Sequence, residues 1–279
     1  MQDISLPSEP LVVIQPTRRW SFLNLKDIWA YRELLFFLTW RDVKVRYKQT
    51  ALGAAWAILQ PLFMMVIFTI FFGRLAGVQT NGIPYPVFAL TALVPWTFFA
   101  NSVTASANSL VGSANLITKV YFPRVIVPAA AMLAAIVDFF LSFVLLAVLM
   151  AIYRVTPTMH ILFLPVLILL TAAFALAVGT WMSALNVKYR DVRFALPFLI
   201  QLWLFVSSVI VPSSAIPEKW RWLLWFNPMS GIIEGYRSAL FGLPFDWASL
   251  GIASLLTALG LLYAIFAFNR VERSFADII

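Results

Sequence analysis

The sequence predicts an all-α integral membrane protein: six transmembrane helices, an N-terminal amphipathic interface helix, and a short re-entrant periplasmic helical hairpin before the last span. Three observations predict it. Of 279 residues, 62% are hydrophobic and only 11% are charged, against about 25% charged in a soluble domain. The charges avoid long windows, with none between Lys48 and Arg74, Arg74 and Lys119, Arg154 and Lys188, Arg193 and Glu218, or Asp246 and Arg270. As helices these windows repeatedly supply the roughly 20 apolar residues that a bilayer core requires. Segments of alternating polarity about ten residues long, the mark of a transmembrane barrel, are not seen.

The segment 1–26 is polar and proline-rich, without an apolar stretch of signal-peptide type, and is expected to be an uncleaved cytoplasmic segment. In 27–40, Ile28, Tyr31, Leu34, Leu35 and Leu38 fall on one helical stripe, which reads as an amphipathic helix at the cytoplasmic interface. The basic run 41–48 alternates like a strand. In a helix, however, Arg41, Lys44 and Lys48 share a face and Asp42 and Arg46 pair one turn apart, and membrane context favours the helix. The interface helix and basic motif thus occupy 27–50, and a transmembrane domain occupies 51–279. Spans are expected near 51–72, 86–106, 125–153, 161–185, 194–212 and 250–268. Five contain or begin near a proline (Pro61, Pro95, Pro128, Pro165, Pro197), which removes a backbone donor and tends to kink a helix.

Charge sets the expected orientation. Arg18, Arg19, Lys26, Arg32, Arg41, Lys44, Arg46 and Lys48 all precede the first span. With both termini inside, fifteen of the 20 Lys and Arg lie in cytoplasmic segments. The net charge of +8 therefore orients the chain in a membrane and does not indicate nucleic acid. Two of the cytoplasmic connections, 108–124 and 186–193, mix aromatic and basic residues, as positive-inside loops with interfacial aromatics do. The outer segment 213–249 holds an apolar stretch, 219–226, too short to cross. Asn227 then looks like a helix cap, Pro228 a first-turn proline, and Gly242 the stop of a helix over 228–241. Two short helices broken at Asn-Pro make a hairpin that lies on the outer leaflet or dips into it. Both a plain interfacial hairpin and a gate fit that pattern.

Several chemistries are missing. The absence of cysteine excludes disulfides, thiolate catalysis and zinc–thiolate sites, and the one histidine, His160, reads as a surface loop residue, so no metal site is expected. No G-x-x-x-x-G-K-[ST] motif cradles a phosphate, and no serine–histidine–carboxylate set or paired intramembrane carboxylates occur. Asp138 is the one acidic residue deep in an expected span and is read as structural or pore-facing in preference to a proton relay. Uncharged polar stripes recur at helical spacing: Thr97, Asn101, Thr104 and Asn108; Phe198, Gln201, Phe205 and Ser208; and Trp56, Gln60 and Phe63. Such faces serve helix–helix contact, or line a conduit for a polar substrate with flat faces, such as a sugar ring.

Four motifs together carry a family resemblance. They are Trp40-Arg41-Asp42-Val43-Lys44-Val45-Arg46-Tyr47-Lys48 with Leu52-Gly53, Trp56 and Leu59-Gln60-Pro61; Asn115-Leu116-Ile117 with Lys119-Val120-Tyr121-Phe122-Pro123-Arg124; Asn186-Val187-Lys188-Tyr189-Arg190-Asp191-Val192; and Asn227-Pro228-Met229-Ser230-Gly231-Ile232-Ile233-Glu234-Gly235-Tyr236-Arg237. From Trp40 to the last helix the chain resembles the membrane subunit of a type-2 ABC exporter, in the branch that exports bacterial polysaccharides such as O-antigen, capsule and teichoic acid. The resemblance implies a homodimer in the bacterial inner membrane, bound to two cytoplasmic subunits that hold ATP and Mg, with no cofactor in this chain. It implies a polyprenyl-pyrophosphate-linked polysaccharide as substrate. It also implies coupling to the ATPase through Asn108, Asn115, Leu116, Lys119, Tyr121 and Arg124. Trp222, Trp225, Asn227, Pro228, Glu234 and Arg237 then belong to a periplasmic gate. Arg41, Lys44, Arg46 and Lys48 become candidates to meet the pyrophosphate at a cytoplasmic entrance. The channel-lining candidates are Trp56, Gln60, Phe63, Thr97, Asn101, Phe198, Gln201, Phe205 and Ser208. A type-2 permease for a drug or a lipid is the nearest rival. A membrane enzyme lacks convergent acid, base or metal groups, and a lone ion-coupled carrier predicts a severe defect on Asp138→Asn.

Overall fold

The computed structural model describes residues 25–48 and 53–272. Most of the expected N-terminal segment, Leu52 of the first motif, the expected start of span one at Ala51, and Arg273 lie outside the described residues. Among these residues the chain is helical, with no strand. Helix α1 (Leu25–Ala30) leads through Tyr31 into α2 (Arg32–Tyr47), so the basic run is helical as its membrane context suggests. Helix α3 (Ala55–Phe68) continues as a π-helical stretch, Thr69–Leu75. Then come α4 (Tyr85–Gly112), the short α5 (Ala114–Lys119) and α6 (Ile126–Ile152). A 3-10 turn, Met159–Phe163, opens α7 (Leu164–Lys188), and α8 (Val192–Val206) follows. Helix α9 (Glu218–Arg221) runs into a 3-10 turn, Trp222–Phe226. Helices α10 (Pro228–Phe241) and α11 (Trp247–Glu272) complete the fold.

Five stretches, Ala55–Leu75, Tyr85–Gly112, Ile126–Ile152, Met159–Lys188 and Trp247–Glu272, are long and apolar enough to cross a membrane. The expected fifth span over 194–212 is different. Its helix α8 has 15 residues, about 22 Å at 1.5 Å per residue, where a hydrocarbon core measures about 30 Å. It stops because Ser207 turns extended (φ −91°, ψ 155°) and the chain passes irregularly to Pro212.

Helix α4 is the centre of the bundle. Every residue from 87 to 96 is buried, with α6 and α7 packed along it and α11 covering α7. Phe99 of α4 stacks on Phe174 of α7 at 5.1 Å, and Trp203 of α8 meets both rings edge-on. Helix α10 is wedged among α4, α7 and α11, buried along nearly its whole length. Glycines permit that approach. A Cβ on Gly231 would stand 2.8 Å from Ser249 Oγ and 3.0 Å from the Ser249 carbonyl, whereas one on Gly251 would meet nothing. Gly231→Ala is therefore expected to destabilise the protein by about 1–3 kcal/mol, as overpacking does, and Gly251→Ala to leave it unchanged. Thermal unfolding of the detergent-solubilised protein checks both.

A second apolar cluster closes the α5 end of the bundle. It joins Leu38 of α2, Leu110 of α4, Ile117 of α5, Phe122, Ile126, Val127 and Ala130 at the start of α6, Ala184 and Val187 of α7, and Phe268 of α11. Tyr31, Leu34 and Leu35 pack against it, so the apolar stripe of α1–α2 is covered by protein. The other face of α2 is also apolar, with Phe36, Phe37 and Trp40 exposed. A helix apolar on both faces suits a position between protein and lipid.

Candidate functional site

The basic motif is divided by the fold. Arg41 donates from Nε to Asp42 Oδ1 at 2.9 Å, so the expected Asp42–Arg46 pair does not form. Arg46 instead turns toward α6, where its Nη1 donates to Asp138 Oδ2 and Tyr47 Oη donates to Asp138 Oδ1. The Asp138 side chain is 14% exposed and that of Asp42 26%, and the more withdrawn carboxylate requires donors more. Burial, with help from the Asp138 hydrogen bond, pushes the Tyr47 phenol up and keeps it a donor. Lys44 stands exposed with its ammonium 5.2 Å from the Trp40 ring centre, and Lys48 is exposed. Of the four predicted entrance cations, Lys44 and Lys48 face outward, while Arg41 and Arg46 hold carboxylates.

The aromatic and amide stripes face away from the core of the chain. Trp56, Gln60 and Phe63 lie on the open side of α3, and Phe198, Gln201 and Phe205 on that of α8. Both helices pack on α4, whose Thr97, Asn101 and Thr104 are half-buried. Thr97 and Thr104 donate to carbonyls of their own helix, those of Val94 at 3.1 Å and Ala100 at 2.8 Å, so neither is spent as glue between helices. Ser208 departs from its predicted stripe. It lies past the end of α8, buried, with a hydroxyl that finds no partner.

At the other candidate loop, α5 anchors itself by burying Ile117, its one fully buried side chain. Asn115, Lys119 and Tyr121 are exposed, Tyr121 to 83%, and Leu116 is half-buried. Arg124 turns inward and donates to the Glu272 carbonyl at 2.6 Å, tying the start of α6 to the end of α11. Asn108 is exposed, and its Oδ1 accepts from Asn186 Nδ2 at 3.2 Å. The same Nδ2 donates to the Ala107 carbonyl at 2.9 Å. Asn186 opens the third sequence motif, but this packing role is not among the roles the sequence assigns it.

The segment from α9 to α10 has two parts. Trp222 and Trp225 stand half-exposed beside Trp220, Leu223 and Phe226. Asn227 caps α10 as expected, accepting from the Met229 N–H at 3.2 Å, with Pro228 in the first turn and Gly242 closing the helix at φ +70°. Asn227 also accepts from Trp203 Nε1 at 3.0 Å and donates to Ser207 Oγ at 2.9 Å, which fastens the end of α8 to the start of α10. Beneath it, the fully buried Arg237 pairs with Glu234 at 3.1 Å, donates to the Val209 carbonyl at 3.0 Å, and lies 3.6 Å from the Phe88 ring centre. Glu234 Oε1 in turn accepts the Ser213 N–H at 3.0 Å, and Tyr85 donates to the Ile210 carbonyl at 3.0 Å. These groups hold the irregular stretch 207–213 against α4 and α10. His160 is not a free surface residue: its Nδ1 is buried and its ring sits 5.3 Å from that of Phe245.

The family described as ABC-2 type transporter matches residues 33–241 of this chain. An O-antigen export system permease protein, RfbA, from Myxococcus xanthus is 31% identical over 220 residues, covering 78% of this chain and 84% of that protein. An RfbA from Klebsiella pneumoniae is 29% identical over 252 residues, covering 88% and 95%. The polysialic acid transport protein KpsM of Escherichia coli is 23% identical over 237 residues, covering 84% and 92%.

Proposed function

This chain belongs to the ABC-2 type transporter membrane family, and we propose that it is the channel-forming permease subunit of an ATP-driven polysaccharide exporter. The reading is supported by its similarity to O-antigen and polysialic acid permeases along most of its length. The structural observation that carries it is the pair of open aromatic and amide stripes on α3 and α8, two helices that both pack on α4. Flat rings and amides offer a sugar both an apolar surface and hydrogen bonds. Among the described residues no helix covers those stripes. A second copy facing them would enclose a conduit.

In this reading the protein is a homodimer in the bacterial inner membrane with both termini cytoplasmic. Five long helices and the short α8 make six crossings, and α10 is re-entrant, surrounded by α4, α7 and α11. Two separate subunits bind ATP and Mg and dock on α5 and its following loop. The substrate is a glycan on a polyprenyl pyrophosphate. Lys44 and Lys48 remain open to that anionic head at the cytoplasmic entrance, and the tryptophans of the α9–α10 hairpin flank the periplasmic exit. This subunit performs no covalent chemistry. ATP binding shifts the dimer between channel states through differential contacts at α5.

Depleting the protein in its native cell tests the proposal. Surface polymer is expected to disappear while full-length lipid-linked chains accumulate in the cytoplasm. Normal surface glycan would sink the polysaccharide reading and bring forward a drug- or lipid-exporting permease.

A further inference from the structure

We infer that Asp138 is a positioning residue for export: with Ser142 one turn away, it clamps both sides of the joint between α2 and α3 and so sets the entrance geometry. The inference rests on the permease reading above. Asp138 lies twelve residues into α6, about 18 Å along the helix. A carboxylate at that depth is costly in lipid, and the fold engages both of its oxygens, one with Arg46 and one with Tyr47. Four residues on, Ser142 Oγ donates to the Ala57 carbonyl at 2.8 Å, in the first turn of α3. Residues four apart on a helix share a face. One face of α6 therefore grips the last turn of α2 and the first turn of α3.

The approach to this point is also fixed by packing. Leu38 of α2 joins the cluster that contains Ala130 of α6, and Arg46 and Asp138 each lie eight residues beyond. Helix α2 thus runs along α6 from the α5 end up to the clamp. Gly53, just ahead of α3, has a φ of +51°, which suits a residue without a Cβ. Lys44 and Lys48, the outward cations of the motif, flank Arg46 on the same short stretch. Where they stand relative to the open stripe of α3, which starts at Trp56, follows from where the joint is held.

The chain contains no cysteine, so spin labels at two introduced cysteines, in copies diluted with unlabelled chain, report the one distance within a copy. Val45 of α2 and Val137 of α6 are both exposed and lie beside the clamp. In proteoliposomes holding the native complex, this pair is expected to give a single narrow distance distribution. Asp138→Asn should broaden it and cut polymer export about tenfold or more, with ATP hydrolysis held within about twofold, since one clamp is loosened without unfolding. Asp138→Glu should preserve the distribution and export, and the exchange of Asp138→Arg with Arg46→Asp should restore part of both. An Asp138→Asn protein with an unchanged distribution would overturn the inference, whatever its export. So would a joint loss of membrane abundance, ATP hydrolysis and export that neither glutamate nor the exchange repairs, because that is general instability. If the native complex moved no polysaccharide, the permease reading would fail while the distance measurement still reported on the clamp.

Discussion

Glu234→Ala is expected to destabilise the protein by about 3–5 kcal/mol, the range for breaking a buried ion pair, and a second substitution, Arg237→Met, to recover part of that loss. The asymmetry comes from burial. Arg237 is 1% exposed and Glu234 24% exposed. Removing Glu234 orphans a cation that water cannot reach, leaving it with the Val209 carbonyl and the Phe88 ring. It also takes the acceptor from the Ser213 N–H. Removing Arg237 orphans a carboxylate that water does reach and that still holds Ser213. Methionine nearly fills the vacated volume. The order of thermal stability in detergent is thus expected to be native, Arg237→Met, the double variant, then Glu234→Ala. A double variant less stable than Glu234→Ala would show that the guanidinium is held mainly by its other partners.

The same pair marks the boundary of what could be read from sequence. The start and end of α10 were legible because their causes are local. Asn227 accepts from an N–H two residues on, Pro228 needs no donor in a first turn, and Gly242 supplies a left-handed residue. The five long helices were legible because apolar length is a property of the chain itself. Helix α8 was over-extended: 194–212 is free of charge, but its end at Val206 depends on Asn227 taking up Ser207 from twenty residues away. The Arg46–Asp138 pair was not legible because the two lie 92 residues apart, and local spacing offered Asp42 instead. The aromatic stripes were found because helical spacing reveals shared faces. Spacing does not reveal which way a face turns, and Ser208 fell outside its stripe when the helix ended before it.

Tyr121→Ala with Lys119→Ala, both exposed residues, is expected to abolish export from a protein that folds normally. Exposed side chains away from special features change stability by only about 0.5 kcal/mol, and Tyr121 is 83% exposed. A large ring left in the open is, however, the kind of group that dominates an interface. Losing about 2 kcal/mol there weakens binding about thirtyfold. The expected results are an unchanged melting temperature and loss of the ATP-binding subunits on co-purification. Retention of those subunits with normal export would remove α5 and its loop from the docking surface. Ile117→Ala supplies the contrast. It cuts the buried anchor of the same helix and should cost about 2–5 kcal/mol in folding, so it loses abundance before it loses a partner. That contrast bears on how a push at this loop travels. A helix of six residues has no stability of its own, so the posture of α5 is set by Ile117 in the shared cluster and, just beyond, by Arg124 on the Glu272 carbonyl. The cluster also contains Leu38 of α2 and Phe268 of α11. A force applied at Tyr121 is therefore delivered to the helix that carries the basic motif as well as to the last crossing, with no mobile linker in between.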